Sequence, residues 1–438
     1  MAMVTTNFPG LKLGVALVLG AMLGLLQSPG PSAAQTSGLK SGLGALKNPA
    51  TARRPLSFGK KRRRGGLAKK KGLVGPDAAI EAINTATMDP VTLAAMIASI
   101  SARNPEAAEE LMREAIERNP AIAGALISQV VASISKSASE GSSALVKGMV
   151  SAAVESALSA GGGGAAVKEI VSGAVEGAAK GGGESIGGGG EAQSLVSAIV
   201  SSAVESAVKS GAEGGSEAGA NLVLDIVATA IETNAAVSED TGGAATAAVG
   251  EIVASAVSSA IASAGDAAPD LATELVKDIV TVAIETSAEG SEDAAGLVKV
   301  IAASSVEAVL ATSEDTTQMT ELVQATTSGA VIGAVAAADG DAEMALELVE
   351  ASTSGVIESV AELADEDSID AEDIAEVVAE GASEGLEEVA DSGTEIDASL
   401  EEAVSAESLE EVTEVAIAES LELEPASEPD SSESTSPN

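Results

Sequence analysis

One helical phrase recurs through this chain and limits what it can fold into. It is an apolar residue and a Val, two spacers, an apolar pair, and then a Glu nine residues after the Val. The full copies run Leu145-Val146 to Val154-Glu155, Leu195-Val196 to Val204-Glu205, Leu222-Val223 to Ile231-Glu232, Leu275-Val276 to Ile284-Glu285, Leu297-Val298 to Val306-Glu307 and Leu348-Val349 to Ile357-Glu358. Weaker copies start at Val167, Val249 and Val323, the last two lacking the Glu. The phrase restarts every 21 to 29 residues. Constant spacing inside the phrase and variable spacing between phrases are the mark of a repeat array, because insertions fall in loops.

On a helical wheel of about 100° per residue, Leu145, Val146, Met149, Val150, Ala153 and Val154 span an arc of about 180°. Leu158 widens it further, and Glu155 falls opposite its centre. A stripe this wide needs neighbours on two sides, as in stacked helices. The repeated Glu155, Glu205, Glu232, Glu285, Glu307 and Glu358 are thus expected at the most solvated position, as amphipathic patterning rather than a carboxylate ladder. Glycines within the phrases, such as Gly148 and Gly173, each cost a helix about 1 kcal/mol relative to Ala. Single helices are therefore weak, and stability has to come from stacking. Glycine runs at 161–164 and 187–190 supply turns.

Composition narrows the chemistry. The 438 residues include no Trp, Tyr, His or Cys and only two Phe. The core must be aliphatic, each buried side chain contributing roughly 1.5–3 kcal/mol. Without His there is no imidazole base or ligand, and without Cys there is no thiolate, disulfide or zinc-thiolate site.

Upstream, prolines at 76, 90, 105 and 120 phase a second pattern. Asp89, Asn104 and Asn119 precede the last three, the N-cap-then-Pro signature of a helix start. This predicts helices of about 11–12 residues turning at each Asn/Asp-Pro.

The first 34 residues read as a signal peptide: Lys12, an apolar run from Leu13 to Leu26, prolines, then Ser32-Ala33-Ala34. The run is shorter than the ~20 residues of a membrane helix. No later segment holds an uninterrupted apolar run of spanning length, so no other crossing is expected. Residues 35–75 carry twelve Lys or Arg and no acid, densest at Lys60, Lys61, Arg62, Arg63 and Arg64. Their Gly, Pro and Ser setting predicts a disordered arm. Three roles fit it: a propeptide, a contact for an anionic polymer or membrane surface, or loose pairing with the acidic body.

That body is strongly acidic. The net charge is -44, and no Lys or Arg follows Lys299. The densest acidic stretch, Asp365, Asp367, Asp370 and Asp373, resembles a calcium loop in spacing, but Ile369 and Asp370 stand where an EF-hand needs a ligand and a Gly. Weak, diffuse binding of Ca²⁺ or another divalent cation is the expectation there. Ser133-Ile134-Ser135-Lys136 and Ser206-Ala207-Val208-Lys209 match Ser-x-x-Lys without its companion motifs, and the glycine tracts lack the Lys-Ser/Thr of a phosphate loop.

The expected fold is all-α: an array of short amphipathic small-residue helices, an α-solenoid or layered helical repeats, between a disordered basic N-terminal arm and an acidic C-terminal tail. The expected divisions are 1–34 signal, 35–75 arm, 76–138 proline-phased helices, 139–392 repeats of about 26 residues, 393–423 acidic terminal helices and 424–438 tail. No motif places the chain in a characterised family. The expected role is a non-catalytic structural or interaction protein, secreted, periplasmic or at the cell surface, that binds cations or a basic partner through its acidic body and self-assembles. An amphipathic surfactant or lipid-associating protein and a precursor of a basic peptide are the alternatives.

Overall fold

Helix follows helix without an intervening strand among the described residues. The computed structural model describes residues 89–409, apart from 137–140, 182–189, 215, 239–242, 265–267, 290, 292, 314, 364–370, 394–397 and 406–407. All of them belong to one unit, Lys71–Asn438. The signal peptide, the basic arm with Lys60, Lys61, Arg62, Arg63 and Arg64, and the tail from 424 lie outside the described residues.

The helices are α1 (Pro90–Ser101), α2 (Pro105–Arg118), α3 (Ala123–Lys136), α4 (Ser142–Ser159), α5 (Gly163–Gly181), α6 (Gly190–Gly214) and α7 (Ser216–Val237). They continue as α8 (Gly243–Ala264), α9 (Pro269–Ala288), α10 (Ala294–Thr312), α11 (Thr316–Ala337), α12 (Ala342–Leu363), α13 (Ala371–Asp391) and α14 (Ala398–Ala403). With one exception each packs at least as extensively on a helix two places along the chain as on its immediate neighbour; the exception is α7, which packs most on α6. The outcome is a two-layered array: odd-numbered helices form one row, even-numbered helices the other. The all-α array read from the sequence is what the chain forms.

Two details correct the sequence reading. The 26-residue phrase is one helix, but the structural repeat is two phrases, because alternate helices go to opposite rows. Of the proline-phased helices, α1 has the expected 12 residues, while α2 and α3 are longer at 14 each. Of their three expected caps, Asn104 accepts a hydrogen bond from the Ala107 amide (3.3 Å), whereas Asp89 and Asn119 make no side-chain cap bond. Pro120 opens a 3₁₀ turn, Pro120–Ile122, ahead of α3. The change of sequence style near residue 139 leaves no break in packing, since α2 packs on α4 and α3 on α5.

The wide stripe becomes burial on several sides. In α11, Leu322, Val323, Ala330 and Val331 are buried together with Thr326, Thr327, Gly329 and Gly333. Several buried hydroxyls are satisfied within their own helix, although those of Ser287, Ser313 and Ser328 have no hydrogen-bond partner. Thr326 donates to the Leu322 carbonyl (2.8 Å) and Ser305 to that of Ile301 (2.7 Å). This back-bonding reduces the number of orphaned O–H groups when Ser- and Thr-rich helices enter a core.

Glycine then sets the distance between rowmates. A Cβ on Gly355 of α12 would lie 2.5 Å from the Lys299 carbonyl oxygen of α10. Gly173 and Gly177 of α5 abut the Gly124 and Ser128 carbonyls of α3, and Gly329 of α11 abuts that of Lys277 on α9. The propensity cost of these glycines is offset by close contact between helix backbones.

Near the row ends the pattern changes. α2 buries Ala108, Leu111, Met112 and Ile116 and exposes Glu106, Glu110 and Glu117. α13 buries Val378, Ala382, Leu386 and Val389 and exposes Glu376, Glu380, Glu384, Glu387 and Glu388. Such one-sided helices suit the ends of a stack, where one face meets water.

Candidate interaction surface

Three of the six repeated Glu residues are not free amphipathic markers. Glu155 of α4 sits between rowmates, 3.9 Å from Arg113 of α2 and 3.8 Å from Lys209 of α6. Glu205 of α6 pairs with Lys147 of α4 at 2.6 Å, and Glu358 of α12 with Lys299 of α10 at 2.7 Å. Glu232 lines an open groove of about 750 Å³ along α1, α3, α5 and α7, where Lys168 and Lys180 also stand. Glu285 and Glu307 are exposed, as the wheel implies. The wheel misses the paired ones because it treats a helix alone, whereas a rowmate reaches across the flank of its neighbour.

Hydroxyls run along the same seams. In the even row Ser143 meets Ser194 (3.1 Å), Ser151 meets Ser206 (3.0 Å), Ser259 donates to Ser201 (2.8 Å) and Thr312 donates to Ser258 (3.3 Å). Ser202 donates to the Lys147 carbonyl at 2.6 Å. Sequence reasoning took these serines as small spacers. Their recurrence at one flank of the phrase is the signal that marks them as seam residues.

Of the ten Lys and Arg after residue 75, eight are in ion pairs. Two of these pairs lie within one helix, Arg118–Glu114 and Lys180–Glu176; the others join rowmates. The longest reach is Lys277 of α9, whose ammonium passes beside α11 to Glu388 of α13 at 2.8 Å. It lines a cleft of about 360 Å³ with Asp270, Glu274, Glu321 and Glu384. Burial works against the Lys277 charge, but the Glu388 hydrogen bond and the charges of Glu388, Asp278 and Glu384 outweigh it and hold its pKa above the ordinary lysine value. Asp278 is pushed above the usual aspartate value, chiefly by burial and also by Glu274 and Glu388, with Lys277 opposing.

Of the proposed cation ligands, Asp365, Asp367 and Asp370 lie outside the described residues, and Asp373 falls in the first turn of α13. Among the described residues no three carboxylates gather in a metal-binding group. Of the Ser-x-x-Lys matches, the second lies at a helix seam and the serine of the first bonds within its own helix. Ser133 donates to the Gln129 carbonyl (2.7 Å), Ser206 meets Ser151, and Lys209 is turned toward Glu155.

The sequence expectation about membranes needs amendment. It looked for uninterrupted apolar runs, yet by length and mean hydropathy Glu217–Val237, Ala245–Ala264 and Ala294–Thr312 are long and apolar enough to cross a bilayer. Alanine keeps their hydropathy high although Ser and Thr interrupt them. All three are helices of the array, α7, α8 and α10.

No protein-family model and no curated protein matches this chain.

Proposed function

We propose that this is an exported, non-catalytic scaffold of the cell envelope or extracellular matrix, whose acidic helical array binds cations or a cationic partner through many weak contacts. One observation carries the reading: the few cations of the array are consumed internally. Beyond residue 75 ten Lys and Arg face all sixty-seven acids of the chain, and eight of the ten are engaged in pairs. Many of the remaining described carboxylates, as on α13, face solvent. A surface of one sign attracts counter-ions and polycations over about a Debye length, ~8 Å at physiological salt. Export and the role of the basic arm rest on the sequence of residues 1–75, and the weak divalent site at Asp365, Asp367, Asp370 and Asp373 on their spacing.

The test is calorimetric titration of the chain from residue 35 with poly-lysine and with Ca²⁺, at low and physiological salt, alongside far-ultraviolet circular dichroism and light scattering. Salt-sensitive poly-lysine binding of many sites per chain is the expected result. Absence of binding at low salt rejects the reading.

A second reading, association with lipid, draws on the three helices of spanning length and hydropathy. Co-sedimentation with neutral liposomes, independent of cations, favours it over the first.

A further inference from the structure

The odd row is not uniformly packed. Glycine-to-backbone contacts close the α3–α5 seam (Gly173, Gly177), the α9–α11 seam (Gly329) and the α11–α13 seam (Gly381, Gly385). Neither seam of α7 within this row, to α5 or to α9, has such a contact. The close-packed glycine of α7, Gly219, faces Gly211 of α6 in the other row. α7 accordingly touches α5 and α9 less extensively than α3 touches α5 or α9 touches α11. Beyond their shared aliphatic core, the side-chain polar contacts between α7 and α5 are a hydroxyl pair, Thr233 to Ser172 at 3.2 Å, and the half-exposed ion pair Lys168–Asp225 at 2.7 Å.

A second observation concerns α7 itself. Asn234 is fully buried, and neither end of its carboxamide has a hydrogen-bond partner in the protein. It is the one buried carboxamide among the described residues. An unsatisfied buried polar group costs about 1–3 kcal/mol, which lowers the work of separating the surfaces around it. The even row, by contrast, is continuous past this point, with Ser259 bonded to Ser201 and Ser197 to Glu251 across the α6–α8 seam.

We propose that α7 is the hinge of the array. The glycine-closed α3–α5 block and the α9–α11–α13 block move as rigid bodies about α7, the even row acting as the continuous spine. The groove of about 750 Å³ spans this hinge. Asp89, Pro90 and Val91 at the start of α1, Gly124 of α3 and Glu169 and Gly173 of α5 line it together with Thr229 and Glu232 of α7. Motion at α7 therefore sets the width of the groove, and a partner seated in it biases the bend.

Native-state hydrogen exchange on the full chain tests this. Amides of α7 are expected to exchange about tenfold faster than those of α5 and α9, the equivalent of about 1.4 kcal/mol. Because the chain has no Cys, the double variant Ser172→Cys/Thr233→Cys forms a single defined disulfide at the α5–α7 seam. Oxidation is expected to slow exchange in α7 selectively, with the reduced variant as its own reference. Asn234→Leu is expected to slow it too. Protection of α7 equal to that of α9, or an oxidised variant whose protection rises evenly in all helices, overturns the hinge.

Discussion

Replacing Gly355 by Ala sets two forces against each other with opposite sign. By helix propensity alone, Gly→Ala in mid-helix stabilises by about 1 kcal/mol. In the array, the new Cβ lies 2.5 Å from the Lys299 carbonyl oxygen, 3.2 Å from its carbon and 3.3 Å from its Cα. An ordinary contact begins near 3.4 Å, so α12 must retreat from α10 by about 0.9 Å. All three obstructing atoms are backbone, fixed by the hydrogen bonds of α10, and cannot swing aside. A gap of that size forfeits about a quarter to a half of each dispersion well along the seam. The seam includes Val298, Ile301, Val356 and Ile357, all fully buried. Overpacking of this kind costs about 1–3 kcal/mol, and an immovable obstacle places it at the upper end. Subtracting the propensity gain leaves a net loss of about 2 kcal/mol. Gly148→Ala is the matched control. Its Cβ meets the carboxylate end of Glu109, a flexible side chain that can move away, so a gain of up to about 1 kcal/mol is expected. Urea titration followed by circular dichroism at 222 nm measures both. If Gly355→Ala is as stable as the parent or more so, backbone contact between rowmates is not what glycine provides here.

Three further outcomes follow from the charged seams. Lys277→Met removes the cation beside Asp270, Glu274, Glu321 and Glu384 and is expected to destabilise by up to about 1 kcal/mol at low salt, with the loss shrinking in 0.5 M NaCl as screening replaces the ammonium. Thermal melts at the two salt concentrations check it, and a salt-independent loss counts against the electrostatic account. Asp278, with a raised native pKa, binds its proton more tightly folded than unfolded, so its effect on stability is unfavourable above its native pKa and fades as pH falls toward 3.8. Asp278→Asn should therefore raise the melting temperature at neutral pH and lose that advantage in acid; an equal shift at both pH values refutes it. Ser202→Ala deletes the 2.6 Å bond to the Lys147 carbonyl across the α4–α6 seam and should cost about 1 kcal/mol in the same urea assay.

Much of the architecture was legible in one dimension. The phrase containing Val146 and Glu155 forms α4, and even the weakened copies at Val167, Val249 and Val323 form full helices α5, α8 and α11. Helix periodicity is a local property, set by which residues share a face. The division into two rows was not legible, because nothing within a single phrase says whether its next partner is one helix away or two. The paired state of Glu155, Glu205 and Glu358 was hidden for the same reason. Their lysine and arginine partners lie on rowmates, as far as 59 residues away for Lys299 and Glu358.

The sequence by itself determined that the chain makes small-residue helices with an aliphatic core, and that its charge is overwhelmingly negative. Only the tertiary structure decided what the glycines and serines are for. A glycine in a lone helix is a weakness, and a serine is a neutral spacer. When two backbones approach to within a Cβ of touching, the glycine becomes the contact and the serine the bond across it, because at that separation only the smallest side chains fit and a short hydroxyl can reach a partner on the facing helix.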